Sequence, residues 1–274
     1  MRNLLFDGDM LVYRMTAAVE ERSPFNKDIL IKADPEEAWH CVELRIQECV
    51  DQVQEYFDTS DTNVILCFSN RSNYRKDVNP TYKSNREGKE KPVLYSEILD
   101  KCFRVYHCED WLNIEADDVM GILQDDSSVI ITGDKDLNQI PGYHLSLIYP
   151  DEGVYEVDEY QGHTMFLEQC LSGDSVDGYY GCPGVGKKKA ADIIAKSRAW
   201  STIVKTYHSA MSPKSQTVTL ESGAKRTKKL QSVNLGLGES EALVTARCAY
   251  ILRHSTEYNK ETGEVNLWQP TGVY

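Results

Sequence analysis

Two short stretches hold the residues best suited to do chemistry: Glu115-Ala116-Asp117-Asp118 and Thr132-Gly133-Asp134-Lys135-Asp136. Their carboxylates lie close together in the chain with little positive charge beside them. Like charge at this density is tolerated when fully solvated, or when something strongly positive sits among the groups. Divalent cations held by carboxylate oxygens meet that need. Asp7-Gly8-Asp9 near the amino end, and Asp174 with Asp177 three residues later, add further carboxylates. Gly181-Cys182-Pro183-Gly184-Val185-Gly186 running into Lys187-Lys188-Lys189 is a different signal. Glycines so spaced expose backbone N–H groups at a helix start, which is an anion site, and the lysines add charge. Taken singly, each stretch has an ordinary reading: a solvated helix start at Glu115, a turn at Asp134, a loop before a helix at Gly181. His107, His144 and His163 are not grouped and read as structural.

The surrounding pattern says which elements must position these groups. Asn3–Phe6 reads as a strand ending in Asp7-Gly8, with a helix over Leu11–Val19; Asp9 can cap that helix, leaving Asp7 to face a metal. Asp34-Pro35 opens an amphipathic helix to about Phe57, after a loop over 23–32. Val64–Phe68 is a strand buried on both faces, Val93–Lys101 a helix, and Phe103–Tyr106 a strand. Glu115–Leu123 is a helix, with Glu115 and Asp118 sharing a face. Ser128–Thr132 is a strand, and Asp134 and Asp136 point the same way if the backbone stays extended beyond it. Leu145–Tyr149 and Val154–Val157 are further strands around a turn at Asp151-Glu152-Gly153. Alternating strands and helices imply an α/β fold, a largely parallel sheet flanked by helices. Past Asp158 strand signals fade: helices over Tyr160–Leu171 and Glu239–Leu252, a loop over 211–238 rich in Ser, Thr, Lys and Gly, and a closing hairpin around Glu261-Thr262-Gly263. The division expected is an α/β domain over 1–157 and a mainly helical part over 158–274.

Composition narrows the function classes. The chain has 274 residues and a formal charge of −13, which by itself argues against a nucleic-acid partner. The distribution argues otherwise, because 71–91 carries seven Lys/Arg against three Asp/Glu, and 187–229 eleven against two. Two basic islands on an acidic chain suit a backbone-gripping surface, or else two solvated faces. There is no apolar run of membrane-spanning length and no secretory leader pattern, so a soluble, cytoplasmic protein is expected, with no membrane partner and as a monomer. The eight cysteines form no CxxC pair and mostly fall in apolar patterns, as reduced core residues do.

Together these motifs resemble the 5′-nuclease superfamily of flap endonucleases, the 5′-nuclease domain of bacterial DNA polymerase I, and bacteriophage 5′→3′ exonucleases, the phage branch above all. The resemblance rests on Asp7-Gly8, Tyr82-Lys83-Ser84-Asn85-Arg86, Glu115–Asp118, Thr132–Gln139, and Gly173–Gly178 leading into Gly181–Gly186. They occur in the family's order over roughly residues 3–195.

The resemblance implies a PIN-like sheet with a basic helical arch over about 69–100 and a helix-hairpin-helix over about 174–197. It also implies metal-dependent hydrolysis of phosphodiesters at the 5′ ends of duplex, nicked or flapped DNA, or of RNA primers in a hybrid. Two Mg²⁺ or Mn²⁺ ions would be shared among Asp7, Glu115, Asp117 and Asp134, and Asp118, Asp136, Asp174 and Asp177. Lys83 and Arg86 would contact the scissile phosphate, Tyr82 would stack on a base, and Arg71, Arg75 and Lys76 would line the path of the DNA. Gly181, Gly184 and Gly186 with Lys187, Lys188 and Lys189 would grip duplex backbone, with a K⁺ ion on the hairpin carbonyls. The sequence departs from the family at Asn70, where an aspartate is usual; either this branch dispenses with that ligand or an Asp→Asn change stands there. The alternatives are an RNase of the PIN type and a catalytically weakened binder of DNA structures.

Overall fold

The computed structural model describes residues 1–26, 30–86, 88–212, 215–219, 225–229 and 232–270. Residues Met1–Tyr74, Gly88–Gly162 and Ile251–Asn266 form one compact unit, and Arg75–Glu87, His163–Tyr250 and Leu267–Tyr274 form a second. The division therefore differs from a single cut after residue 157. The segment 75–87 groups with the later residues, and a late segment returns to the first unit.

The first unit is built on a six-stranded sheet: β1 (Arg2–Asp7), β2 (Thr62–Phe68), β3 (His107–Asp110), β4 (Ser128–Thr132), β5 (Gly142–Ser146) and β6 (Tyr155–Val157). The order across it is β3-β2-β1-β4-β5-β6, all parallel except β6, which runs antiparallel to β5. The amino-terminal strand is central because it can be buried on both faces: Leu4, Leu5 and Phe6 are fully buried, and all five positions of β4 are buried. Helices α1 (Gly8–Ala18), α2 (Pro35–Phe57) and α3 (Tyr95–Val105) pack with one face, bringing Leu11, Val12, Trp39, Val42, Ile46, Ile98 and Cys102 into a core with Leu4, Phe6 and Leu66. Helix α4 (Ala116–Leu123) packs against β1 and β2.

Asp34 and Pro35 start α2 as their types predict: the Asp34 carboxylate accepts from the N–H groups of Glu36 and Glu37 at 3.0 and 3.3 Å. The expected strand over Phe103–Tyr106 is instead the end of α3. Tyr95, Ile98 and Cys102 keep helical spacing on the buried side while Phe103 and Val105 are exposed, so the alternation that reads as a strand lies on a helix surface. Strand β5 begins three residues earlier than predicted, and a short ribbon pairs Glu21–Arg22 with Leu30–Lys32 around residues 27–29, which lie outside the described residues. The closing hairpin is present, pairing Tyr258–Asn259 with Glu264–Val265.

The second unit gathers α5 (Glu159–Ser172, from His163 on), the ribbon β7 (Gly173–Asp174) with β8 (Tyr179–Tyr180), α6 (Lys187–Ile194), α7 (Trp200–His208) and α8 (Glu239–Ala249). The Tyr207 hydroxyl donates to the Cys170 carbonyl at 2.9 Å, and the Trp268 ring packs against Phe166, Trp200 and Tyr250. The span expected as a loop contains an antiparallel ribbon, β9 (Ser215–Thr219) with β10 (Lys225–Lys229); the rest of 213–231 lies outside the described residues. Among the described residues of the expected arch, 69–100, are one helical turn (Arg75–Val78), a 3₁₀ turn (Ser84–Arg86) and the start of α3. Among the described residues no helix is long and apolar enough to cross a membrane. The eight cysteines are free thiols, six of them buried.

Candidate active site

The strand order reverses between β1 and β4, and in open α/β sheets that fork, at the carboxyl ends of the strands, is where ligands are taken. Here it carries Asp7 and Thr132-Gly133-Asp134. Asp7 ends β1 and caps α1, its Oδ1 accepting from Met10 N–H at 2.9 Å. Its Oδ2 accepts from the Thr132 hydroxyl at the end of β4 at 3.0 Å, and Thr132 Oγ1 accepts from Asp134 N–H at 3.0 Å. Gly8 permits the tight crossing beside it, since a Cβ there would stand 2.6 Å from the Phe68 ring and 2.9 Å from the Cys67 carbonyl. The expected cap is thus corrected: Asp7, not Asp9, caps the helix. Asp9 instead accepts from Ser69 N–H and from the Tyr95 hydroxyl, each at 2.8 Å.

Asp7 is buried, and that environment changes its chemistry. Burial raises its pKa to about 7 against the lowering effect of the Met10 N–H bond, and the fields of Asp9 and Asp134 push it the same way as burial. Among the described residues no basic group offsets this repulsion. The fork is an acid-rich pocket whose charge is relieved by a proton or a cation. All its donors are hard oxygens, the set that suits Mg²⁺ or Mn²⁺.

Asp134 and Asp136 do not share a face as an extended backbone would dictate. The chain turns at once into 3₁₀ helix, Lys135–Gln139, with Asp134 as its cap accepting from Asp136 N–H at 2.9 Å. At the start of α4, Ser69 Oγ accepts from Ala116 N–H at 3.1 Å, tying the end of β2 to that helix. Asp118 is fully buried, with one oxygen accepting from Glu115 N–H at 3.2 Å and the other from Leu252 N–H at 3.0 Å. Both oxygens thus brace backbone, a structural role that its spacing did not reveal. Glu115 is buried and Asp117 half-buried. Asp117 and Asp7 both act on the buried Cys67 thiol, which burial, Glu109 and these two carboxylates hold well above its ordinary pKa. Among the described residues no three His, Cys, Asp or Glu side chains are already gathered closely enough to hold an ion.

Asn70 has a definite role. Its Nδ2 donates to Asp110 Oδ1 at 2.8 Å, and its Oδ1 accepts from Ser72 N–H and Oγ–H at 3.1 and 2.8 Å. An aspartate there would set two carboxylates against each other and lose the bond to Asp110. Asp110 was not singled out from the sequence, because its pairing with Asn70 spans 40 positions and two strands.

In the second unit, Asp174 forms a turn by accepting from Val176 N–H at 2.7 Å, and Asp177 is ion-paired with Lys83, at 3.6 Å, and with Arg86. Two residues expected on DNA are not available to it. Tyr82 is buried and stacked on Tyr179 with ring centroids 6.1 Å apart. Arg75 is buried as well, donating to the carbonyls of Cys248 at 3.0 Å and Tyr250 at 2.6 Å at the end of α8. Arg71 and Lys76 are exposed. The glycine hairpin closes through Val185 N–H to the Cys182 carbonyl at 3.0 Å, with Gly184 at φ 78°. Gly186 caps α6 without a side-chain bond, and Lys187, Lys188 and Lys189 are exposed in its first turn. Lysines are unfavourable at the positive end of a helix dipole, and an anion bound there offsets that cost.

The chain is similar to known proteins in sequence and in fold. Residues 2–169 match the family model of the 5′-3′ exonuclease N-terminal resolvase-like domain. An exodeoxyribonuclease of Enterobacteria phage T3 is 28% identical over 97% of this chain and 92% of its own length, and an exonuclease of Escherichia phage T7 is 27% identical over 97% and 93%. The solved structure of the T5 5′-exonuclease with bound zinc ions shares the fold at TM-score 0.51 and 18% identity, over 74% of this chain and 79% of that one. A bacteriophage T5 flap endonuclease in complex with DNA and metal ions matches at TM-score 0.50 and 18% identity, over 74% and 78%.

Proposed function

The chain belongs to the 5′-3′ exonuclease family through its N-terminal resolvase-like domain, and on that premise we propose that it hydrolyses DNA phosphodiesters from 5′ ends with Mg²⁺ or Mn²⁺. The observation that carries this reading is the Asp7–Thr132–Asp134 fork, a buried carboxylate with two acidic neighbours at the strand-order reversal. Asp7, Glu115, Asp117 and Asp134 are the proposed cation ligands. The same role for Asp136, Asp174 and Asp177 rests on the resemblance alone.

Bound divalent cations would supply an activated water and neutralise the leaving oxyanion. The remaining work falls to side chains of the protein. Thr132 fixes the rotamer of Asp7, and Ser69 fixes the start of α4. Lys83 and Arg86 stabilise charge on the scissile phosphate, and the first turn of α6 with its lysines holds backbone phosphate without reading bases. Lys189 Nζ already donates to the Gly184 carbonyl at 3.2 Å, so a K⁺ ion on the hairpin would compete with a built-in ammonium. The protein acts as a monomer in the cytoplasm of the cell in which it is made.

The test is release of nucleotides from 5′-labelled duplex, nicked and flapped DNA with and without Mg²⁺, beside 5′-labelled RNA. Asp134→Ala abolishes cleavage and spares DNA binding. Unchanged turnover would remove the metal assignment, and cleavage confined to RNA would favour the PIN-type RNase.

A further inference from the structure

The acid fork holds a further carboxylate to which the proposed chemistry gives no part. Asp9 adds repulsion to Asp7, so its charge is a burden on the metal-free site. Its two oxygens, however, tie together elements far apart in the chain. Asp9 stands half-buried in the first turn of α1; Oδ2 accepts from Ser69 N–H just beyond β2, and Oδ1 from the hydroxyl of Tyr95, the first residue of α3, each at 2.8 Å. Ser69 carries the connection on, its Oγ accepting from Ala116 N–H at 3.1 Å, between Glu115 and Asp117. An asparagine at position 9 has a single acceptor oxygen, whereas the carboxylate meets two donors with one oxygen each.

Tyr95 is fixed on more than one side. It is buried, the Lys91 ammonium lies 3.7 Å from its ring centroid, and Val93 N–H donates to Glu20 at 2.8 Å, which holds the approach to α3. Burial first, and the Asp9 charge after it, push the phenol well above its ordinary pKa, so it stays a hydrogen-bond donor at neutral pH.

We infer that Tyr95 is a positioning residue: through Asp9 and Ser69 its hydroxyl fixes the start of α4, and with it the Glu115 and Asp117 carboxylates, before a cation or a phosphodiester arrives. This rests on the nuclease reading above. Groups set in advance have less freedom to lose on binding. Removing a group that orients a metal ligand costs ~10–100-fold in metal affinity or activity, and Tyr95, acting through two intermediaries, belongs at the lower end.

The experiment uses Tyr95→Phe, which removes the hydroxyl and keeps the ring beneath Lys91. Mn²⁺ binding is followed by titration calorimetry without DNA. The dissociation constant is expected to rise about tenfold; an unchanged constant overturns the inference, and if the melting temperature in EDTA has fallen it leaves Tyr95 a structural role alone. On 5′-labelled duplex the Mg²⁺ concentration for half-maximal rate is expected to rise by a similar factor with KM for DNA unchanged. A raised KM with an unaltered Mg²⁺ requirement makes Tyr95 a substrate contact and overturns the positioning role. Ser69→Ala cuts the same chain of bonds one link later, so it is expected to weaken Mn²⁺ binding likewise, and Tyr95→Phe added to it to cause little further loss; full additivity overturns the coupling through Asp9. If the unaltered protein binds Mn²⁺ and cleaves no DNA, while Tyr95→Phe weakens that binding, it is the nuclease reading that falls and the positioning of the carboxylates that stands.

Discussion

Replacing Asp7 by asparagine should abolish cleavage and yet make the metal-free protein more stable. The Asp7 pKa is raised from 3.8 to about 7, chiefly by burial, with Asp9 and Asp134 adding repulsion. Its neutral form is therefore favoured in the folded state. The stability this preference contributes is fully present below the unfolded pKa, near 4, and is lost as the pH rises through the folded value near 7. At pH 8 the metal-free protein carries the whole cost, at most about 4 kcal/mol for roughly three units at ~1.4 kcal/mol each. Asparagine keeps the Met10 N–H acceptor but reverses the bond with Thr132, a loss of about 1 kcal/mol. The balance is about 2–3 kcal/mol, or a melting temperature higher by ~5–10 °C in EDTA at pH 8. The gain should vanish at pH 4.5. Added Mg²⁺ should raise the melting temperature of the intact protein more than that of Asp7→Asn, because binding to the native state stabilises it. A variant less stable than the parent in EDTA at pH 8, or a difference independent of pH, would refute the account of the fork as an acid pocket that takes a cation.

The remaining predictions concern residues whose roles the structure redefines. Asn70→Asp, which matches the family's usual residue, should not raise activity and should cost up to about 1 kcal/mol at neutral pH by opposing Asp110; thermal melts and a cleavage assay check both, and a gain in turnover would return Asn70 to the status of a missing ligand. Arg75→Ala should destabilise by about 3–5 kcal/mol in chemical denaturation, because it strips two buried carbonyls of their donor and leaves a cavity. Stability unchanged with weakened DNA binding would restore Arg75 to a phosphate contact.

The sequence displays whatever depends on local chemistry. Asp34-Pro35 announces α2, the apolar runs at Leu4 and Val129 announce central strands, and the carboxylates at Asp7 and Asp134 stand where strands end. What it hides is long-range pairing. Arg75 looks like a phosphate contact until it is seen to satisfy carbonyls 173 and 175 positions away. Tyr82 looks like a stacking platform until Tyr179 covers it. Nothing near Asp118 in the chain tells that its two oxygens brace backbone, one of them at Leu252. The family resemblance carried the order of the motifs correctly, but a motif cannot say which of its polar groups is already used inside the fold.

The position of β1 has a consequence for synthesis. The strand emerges first from the ribosome, yet both its neighbours come late: β2 ends at Phe68 and β4 at Thr132. Until β4 arrives, β1 is an unfinished edge rich in buried-type residues, a form that invites non-native pairing and is a natural client for chaperones. The bond from Thr132 to Asp7 closes across 125 positions, so no nascent fragment shorter than that holds the fork. Asp7 and Asp134, two of the proposed cation ligands, therefore come together only when most of the first unit has been made.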